Sequence, residues 1–256
     1  MENYVAQNKA AWEYDAYNFW VSQSTPADRA KRDLANPTGQ LKKYTKYLEN
    51  VRGNTIANIC GSCGKKAVPL AILGADVTVF DISEQNKKYA CEVAEAAGVH
   101  INYIVGDALD IDMAVYGQHF DIAFMEGGIL HYFHDINKFM AVMYRCLKPG
   151  GQLILSDFHP INKILNTLWD VTGVVKEGSD YFSTEIVEGD VAHARYYDDE
   201  KQKLFPKCLV RRYNIGEIIN AVINAGFVLK SFDEHPAWTN EKLPGEYTLL
   251  AVRPMK

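Results

Sequence analysis

Two cysteines stand two residues apart in the stretch NICGSCGKK, which begins at Asn58. Cys60 and Cys63 could form a redox pair, half of a zinc site, or part of a loop that holds a cofactor. A structural zinc site needs four ligands, usually two such pairs or one pair with suitably spaced histidines. The sequence offers no second pair, and its other cysteines stand singly at positions 91, 146 and 208. We therefore predict no metal site.

A Cys-x-x-Cys pair between a strand and a helix also suits a catalytic dithiol, because a helix N-terminus lowers a thiol pKa. The local placement fits this interpretation. The thioredoxin-type fold is short, however, whereas a long run of strand and helix patterns follows this loop. A cofactor loop is the third interpretation, since small residues at the turn from a first strand into a first helix let a ligand approach the backbone.

Two acidic residues follow at the ends of predicted strands, as a cofactor loop would require. Asp81 ends the strand DVTVFD, where a carboxylate can accept hydrogen bonds from both hydroxyls of a ribose, and Asp107 follows the next strand, where an adenine edge would lie. A nicotinamide dinucleotide and S-adenosylmethionine share this geometry. A dinucleotide loop usually has G-x-G-x-x-G. Gly61 and Gly64 do not have that spacing, so NAD(P) is disfavoured.

Strands alternate with helices from about residue 54, which predicts right-handed βαβ units and a parallel sheet. The last two strand patterns, VLKSFDEH and YTLLAVR, are separated by a short loop and should pair as an antiparallel hairpin at the sheet edge. The segment LKKYTKYLENV has apolar residues at helical spacing and predicts an amphipathic helix. The predicted division is a helical N-terminal cap (1–50), a cofactor-binding core (51–159), an inserted lid (160–207) and a segment completing the core (208–256).

Charge and composition limit the classes of partner that we expect this protein to bind. The 256 residues include 27 Lys and Arg against 32 Asp and Glu, a net charge of −5, so the basic excess typical of nucleic-acid binding is absent. The sequence shows neither a signal peptide nor an apolar run long enough for a membrane span. Five cysteines, an odd number, favour a reducing compartment, and we expect a cytoplasmic monomer or homodimer with no nucleic-acid or membrane partner.

Five motifs carry a family resemblance, in the order TIANICGSCG, VTVFDIS, YIVGDALDI, FDIAFMEGGILHYF and LKPGGQLILSDFHP. Together they resemble the class I S-adenosylmethionine-dependent methyltransferases, and above all the small-molecule group that includes the ubiquinone and menaquinone methyltransferases. The resemblance covers roughly residues 54–158 and extends through the closing hairpin. It implies a Rossmann-like α/β fold with a seven-stranded, mostly parallel sheet, an antiparallel C-terminal hairpin and helices on both faces.

The first loop departs from the family pattern, which is usually D/E-x-G-x-G-x-G. Asn58, Cys60, Ser62 and Gly64 hold those positions here, so only the last glycine is kept. We interpret this as a subgroup variant, because Asp81 and the acidic residue after the third strand are present. The two thiols are then incidental and pack as small apolar groups.

The resemblance implies S-adenosylmethionine as cofactor, S-adenosylhomocysteine as product and a role for each motif. Cys60, Gly61 and Ser62 would face the methionine part, with Glu126 and Gly127 lining the sulfonium side. Asp81 would bind the ribose and Ile82 would flank the adenine. Asp107 and Ala108 would meet the adenine amine and ring. Tyr14 or Tyr17 of the N-terminal helices could touch the sulfonium, because a cation gains roughly 0.5–2 kcal/mol over an aromatic face.

Methyl transfer to a small-molecule acceptor needs orientation, a dry pocket and sometimes a base. His131 and His159 are the predicted catalytic residues, because each follows a strand that ends near the expected site. His134, Tyr132 and Asp157 are weaker candidates. An RNA or protein methyltransferase, or a nucleotide-binding or redox module without methyl transfer, remains an alternative.

Overall fold

A computed structural model of the chain describes residues 3–48, 50–165 and 174–255. Its strands are β1 Thr55–Ile59, β2 Asp76–Asp81, β3 Asn102–Val105, β4 Phe120–Glu126, β5 Leu147–Phe158, β6 Ile186–Gly189, β7 Cys208–Arg211, β8 Val228–Pro236 and β9 Pro244–Val252. Seven of them form one sheet in the order β3-β2-β1-β4-β5-β9-β8, and β6 pairs with β7 separately. The strands β1 to β5 are parallel, and β9 runs antiparallel to both β5 and β8. The predicted sheet and its edge hairpin are confirmed.

The helices cover both faces of the large sheet. They are α1 Asn3–Glu13, α2 Ala16–Gln23, α3 Pro26–Ala35, α4 Ala67–Ile72, α5 Glu84–Ala96, α6 Met113–Tyr116, α7 Ile136–Cys146, α8 Asp199–Gln202 and α9 Ile215–Asn224. Short 3-10 turns lie at Lys42–Tyr44, Ala108–Asp110, Leu130–Tyr132, Pro160–Lys163 and Ala194–Tyr196. Across the described part of the chain, no helix is both long and apolar enough to cross a membrane.

Local sequence signals explain where the main helices start and stop. The predicted N-cap at Ser83 is confirmed: its hydroxyl accepts the N–H of Asn86 at 3.1 Å and begins α5. Gly98 follows the end of α5 with a φ of +68°, the left-handed geometry that glycine adopts without strain. Asn214 and Glu217 form a reciprocal capping box at the start of α9. Each helix is therefore held in register with the strand it follows.

The helix predicted over LKKYTKYLENV is wrong. The structure has only a 3-10 turn at Lys42–Tyr44, and Glu49 lies outside the described residues. Leu41, Tyr44 and Leu48 are nevertheless buried, each at most 6% exposed. Their spacing reflects the face that this segment packs against the sheet, and tertiary burial produced the apolar pattern without a continuous helix.

The strands of the sheet separate two apolar cores. Ala57 and Ile59 of β1 face the core packed by α7 and α9, whereas Ile56 faces the core packed by α4 and α5. This alternation is the period of two expected of a strand covered on both faces. Because both faces of the sheet are packed, its strands hold the loops at their carboxyl ends in fixed positions.

A third, smaller core joins α1 to the inserted segment. Ala11 of α1 packs against Val191, Phe205 and Val210. Asn8 accepts the N–H of Leu209 at 2.7 Å and donates to the carbonyl of the same residue at 3.2 Å. The strand β6, within the predicted lid, pairs with β7, which begins just after residue 207. Residues 166–173, among them Trp169 in the predicted lid, lie outside the described residues.

Candidate active site

A cavity of about 240 Å³ opens where the parallel strands end. Carboxyl ends of parallel strands meet at one edge of a sheet, and this is where ligands of such folds bind. We call it the first cavity. Nine predicted residues line it: Cys60, Gly61, Ser62, Asp81, Ile82, Asp107, Ala108, Glu126 and Gly127. The structure therefore brings these residues together around one space.

The loop after β1 has an unusual backbone. Cys60, Ser62 and Gly64 have φ values of +50°, +46° and +73°, the left-handed region that side chains rarely adopt. These are the three positions at which the family pattern carries glycine. Position 61 needs glycine for a different reason: a Cβ there would lie only 2.5 Å from Oδ1 of Asn58. The loop keeps the shape of a glycine-rich turn with two non-glycine residues in it.

The two thiols of this loop lack the character of reactive thiolates. Burial raises the pKa of Cys63 to about 11, and burial followed by the charge of Asp81 raises the pKa of Cys60 well above its ordinary value. Catalytic and metal-binding thiols have lowered pKa values. In the described ranges, no three His, Cys, Asp or Glu side chains group together as metal ligands would. The physical chemistry of the loop thus favours the cofactor interpretation.

Asp81 is the most highly connected acid of the first cavity. It is 7% exposed, and its carboxylate accepts the backbone N–H groups of Ser62 at 2.9 Å and Ser83 at 3.0 Å. Asn86 donates to it at 3.3 Å and in turn accepts the indole N–H of Trp20 at 2.8 Å. Burial raises the pKa of Asp81, while these hydrogen bonds lower it. The acid is thus fixed in place between the loop and α5.

Glu126 ends β4 on the opposite wall and is held by groups from outside the sheet. The hydroxyl of Tyr44 donates to its Oε2 at 2.7 Å, and Nζ of Lys66 lies 3.5 Å from its Oε1. Asp107 accepts the N–H of Leu109 at 2.9 Å and caps the 3-10 turn Ala108–Asp110. Both acids therefore line the cavity and are also hydrogen-bonded to protein groups.

The first cavity has room and polar atoms for a ligand such as S-adenosylmethionine. A Cβ added at Gly106 or Gly127 would meet no atom within 4 Å, so both glycines face open space. Asn58 is 2% exposed and donates to the carbonyl of Phe124, but its Oδ1 has no hydrogen-bond partner among the described residues. A buried acceptor without a donor destabilises a fold by about 1–3 kcal/mol, and a bound ammonium group would donate a hydrogen bond to it.

Tyr14 and Tyr17 lie outside the lining of the first cavity. Tyr14 packs against Phe205, and the hydroxyl of Tyr17 donates to Glu92 at 2.7 Å. Trp12 of α1 and Trp20 of α2 line the cavity instead, and Tyr14 lies in the turn between these helices. The family resemblance implied that the N-terminal helices would cover the site, but the sequence did not indicate which face of each helix would point inward. His193 also lines the cavity and was missed, because no motif surrounds it.

A second cavity of about 520 Å³ adjoins the first. It contains both predicted catalytic histidines, together with Tyr132 and Asp157. Five residues line both cavities: Trp12, Gly127, Gly128, Tyr132 and Ala192. The junction therefore lies at the end of β4, under α1.

The predicted catalytic residues differ in their surroundings. Burial, and then the charge of Arg212, lowers the pKa of His131 to about 3, so its ring is neutral at pH 7. Nδ1 of His159 accepts the N–H of Ile161 at 3.2 Å, and its Nε2 lies 3.0 Å from Oε1 of Glu234. His159 thus caps the turn Pro160–Lys163. His134 stacks on Tyr4 and lines neither cavity.

Asp157 and Tyr247 lie side by side on paired strands at the base of the second cavity. Asp157 accepts the N–H groups of Ile129 at 3.0 Å, Leu130 at 2.9 Å and Phe158 at 2.6 Å. It therefore fixes the loop after β4 and has little capacity left for a ligand. The Tyr247 hydroxyl is fully buried and has no hydrogen-bond partner among the described residues.

Comparison with known proteins agrees with this geometry. Residues 59–155 match the methyltransferase domain family. YbaJ of Bacillus subtilis (strain 168), an uncharacterized methyltransferase, is 25% identical over 253 residues, 91% of each chain. The ubiquinone/menaquinone C-methyltransferase UbiE of Pseudomonas entomophila (strain L48) is 30% identical over 154 residues, 55% of this chain and 59% of UbiE. The chain thus spans less than two thirds of that relative.

A solved structure shows the same fold. The S-adenosylmethionine dependent methyltransferase of Mesorhizobium loti superposes with a TM-score of 0.62 at 22% identity, over 85% of this chain and all of that one. This likeness concerns the fold. The family match and the relatives concern the chemistry, methyl transfer. The chain therefore carries a methyltransferase domain at residues 59–155, has the fold of S-adenosylmethionine-dependent methyltransferases and is similar to the ubiquinone and menaquinone methyltransferases.

Proposed function

We propose that the methyl acceptor is a small molecule bound in the second cavity. The shared wall of the two cavities is the observation that carries this proposal. S-adenosylmethionine supplies a methyl group on a sulfonium, and displacement there requires donor and nucleophile to be held in line. A Cβ at Gly127 would meet no atom within 4 Å, so the backbone at the end of β4 leaves open space at the junction, where reacting groups from the two cavities can approach each other beside Trp12 and Tyr132.

Different residues of the first cavity would bind different parts of the cofactor. Asp81 and Ile82 would hold the adenosine sugar and one adenine face, and Asp107 and Ala108 would meet the rest of the adenine. Cys60, Gly61, Ser62, Glu126 and Gly127 would surround the methionine part. The unsatisfied Oδ1 of Asn58 would accept a hydrogen bond from the ammonium group of that part. Trp12 lies at the junction and offers the aromatic face that we had expected from the tyrosines.

The second cavity would orient the methyl acceptor more than deprotonate it. His131 is neutral at pH 7 and can accept a hydrogen bond, but a pKa of about 3 makes it a weak base. Both nitrogens of His159 face protein groups. We therefore assign His131 the role of holding a hydroxyl or amine of the methyl acceptor, and His159 a supporting role in the cavity wall.

Two further observations support a small methyl acceptor. The relative UbiE is named for ubiquinone and menaquinone biosynthesis, in which the methylated compounds are small molecules. The inserted segment contributes Lys163, Leu165 and Asp190 to the second cavity, as expected of a lid that selects the methyl acceptor. The free cysteines of the structure are consistent with action in a reducing compartment such as the cytoplasm.

The test combines binding with labelling. S-adenosylhomocysteine is titrated into the protein by calorimetry, and S-adenosylmethionine with a labelled methyl group is then incubated with a small-molecule cell extract, total RNA and total protein in separate reactions. We expect saturable binding and label in the small-molecule reaction. The same titration is made with the variant Asp81→Ala, in which binding should weaken. Ile223→Ser, a change at an exposed position on α9, is the control and should bind as the wild type does. Label in RNA or protein alone would overturn the small-molecule proposal.

A further inference from the structure

The second cavity has an uneven distribution of charge. Its lining includes three cationic side chains, Lys163, Arg195 and Arg212, and two acids, Asp157 and Asp190. Asp190 is paired with Lys207, which lies outside the lining. Asp157 is occupied by three backbone N–H groups. Neither acid of the lining therefore forms an ion pair with Lys163 or Arg212.

Arg212 is the cation best placed to meet a ligand. It directly follows β7, two residues after Val210, so both side chains project to the side of the strand that lines the second cavity. Arg211 projects to the other side and pairs with Glu217 at 2.6 Å. Arg212 has no carboxylate partner among the described residues. Its guanidinium presents several donors in a planar fork that matches a carboxylate.

Lys163 lines the same cavity as Arg212. Its ammonium donates to the carbonyls of Tyr181 at 2.8 Å and Ser183 at 2.9 Å, which hold the side chain without cancelling its charge. Burial lowers the pKa of Lys163; the charges of Glu217 and Asp180 oppose this shift, and those of Arg211 and Arg212 add to it. Lys163 and Arg212 thus place two positive charges on the lining of one cavity, and an anionic group of a ligand can pair with them.

The rest of the cavity is apolar and aromatic, with one buried polar group. Phe158, Leu165, Tyr213 and Ile218 contribute to its walls. The Tyr247 hydroxyl is buried in the same wall and lacks a protein partner within the described chain. A ligand that fills this space would present an apolar body to the walls and a polar atom to Tyr247.

We propose that the methyl acceptor is a carboxylate-bearing small molecule with an apolar, ring-containing body, whose carboxylate is held by Arg212 with Lys163. This inference rests on the proposed function, because it assigns the second cavity to the methyl acceptor. The anion lies at the mouth, next to the insertion, and the ring lies deeper, toward the junction at Gly128. The opposite orientation would leave the cations without a partner and bring a charge toward the apolar wall.

Simple probes test the proposal without knowledge of the natural methyl acceptor. Three compounds share a phenyl ring and differ in the polar end: 3-phenylpropanoate, the neutral 3-phenylpropanamide and 2-phenylethyl phosphate. Their binding to the protein saturated with S-adenosylhomocysteine is measured by ligand-observed NMR. We expect the carboxylate to bind roughly tenfold more tightly than the amide, because charge-assisted bidentate hydrogen bonds exceed neutral ones. Binding of the phosphate with no preference for the carboxylate would assign the site to phosphates and overturn the proposal.

Variants separate charge from shape. Arg212→Gln should remove most of the carboxylate's advantage and leave amide binding within about twofold, since the amide makes no charge-assisted pair. Arg145→Gln is the matched control, the same change at an exposed position on α7, and should keep the preference. Equal weakening of both probes in Arg212→Gln, or failure of all three probes to bind, would overturn the carboxylate assignment. Failure of S-adenosylhomocysteine itself to bind would instead overturn the proposed function.

Discussion

At the scale of single residues, Asp81 is the group with the clearest energetic consequence. Its carboxylate can share its oxygens between the N–H groups of Ser62 and Ser83 and a pair of ribose hydroxyls. We expect Asp81→Ala to weaken S-adenosylhomocysteine binding by roughly 2–4 kcal/mol, about 30- to 1000-fold in dissociation constant. Calorimetric titration measures this loss, and thermal melts show whether the variant is folded.

Asp81→Asn is the graded control for that experiment. It keeps one carbonyl oxygen that can accept a backbone N–H, so we expect its affinity to lie between those of the wild type and the alanine variant. A folded Asp81→Ala variant that binds within threefold of wild type would remove the ribose role from this residue.

Ser62 tests the backbone of the same loop. Its φ of +46° is strained for a side chain, so Ser62→Gly should be about 1 kcal/mol more stable than Ser62→Ala. Both variants keep the backbone N–H that donates to Asp81. Urea denaturation gives the two free energies of unfolding. Equal stability of the glycine and alanine variants would mean that the loop relaxes to an ordinary conformation in solution.

At the scale of elements, α1 and the inserted segment act as one cover. Asn8 makes two hydrogen bonds to the backbone of Leu209, and both are lost in Asn8→Ala. We expect a loss of roughly 1–3 kcal/mol in the stability of this cover, because a buried N–H and carbonyl lose their partner. Hydrogen exchange of the ligand-free protein should become faster at residues 3–13 and 186–211 and stay unchanged in the strands of the large sheet.

Lys9→Ala is the neighbouring control on α1, since Lys9 lies beside Asn8, whose side chain makes the two bonds to Leu209. Faster exchange confined to 3–13 would show that the two elements open independently, and the idea of a single cover would fail.

Elements with a strong local signal could be predicted from the sequence. The strands of the sheet carry apolar β-branched runs, and Ser83 and the glycine at 98 mark the ends of α5 by their own chemistry. The segment 41–51 could not, because Leu41 and Tyr44 are buried by contacts with the sheet that no local pattern encodes. The same limit applies to Trp12 and Tyr14, because which side of a short helix faces a cavity depends on what covers its other side.

The candidate site likewise has one part that the sequence predicts and another that depends on tertiary contacts. Asp81 and Glu126 stand at strand ends, and a parallel sheet brings strand ends together whatever the rest of the chain does. The second cavity is lined by the insertion, by the segments that follow β4 and β5, and by Tyr247 of β9, which approach it from distant parts of the sequence. Arg212 and Tyr247 therefore carry no motif, and only their three-dimensional placement shows that they share a wall.

At the scale of the whole molecule, buried histidines couple stability to pH. Burial lowers the pKa values of His131, His159, His193 and His235 in the folded protein. The unfolded chain then binds more protons than the folded one as the pH falls below about 6.5. The stability associated with these neutral rings is present above that pH and is lost progressively as the pH falls toward the folded pKa. Acidification should therefore destabilise the protein before most of its carboxylates are protonated.

His131 allows one histidine's share of this effect to be isolated. Its folded pKa of about 3 predicts a loss of up to about 2 kcal/mol in unfolding free energy between pH 8 and pH 5. His131→Gln removes the titrating ring, so its unfolding free energy should fall less over that interval, while His100→Gln, at an exposed position, should match the wild type. Asp81 and Asp157, whose raised pKa values act in the opposite direction, are the same in all three proteins and cancel in the comparison. Urea denaturation at pH 8, 6.5 and 5 measures the difference. An identical pH dependence in His131→Gln and the wild type would mean that the ring is protonated as easily in the fold as in the unfolded chain, and that the second cavity is wetter than its apolar walls imply.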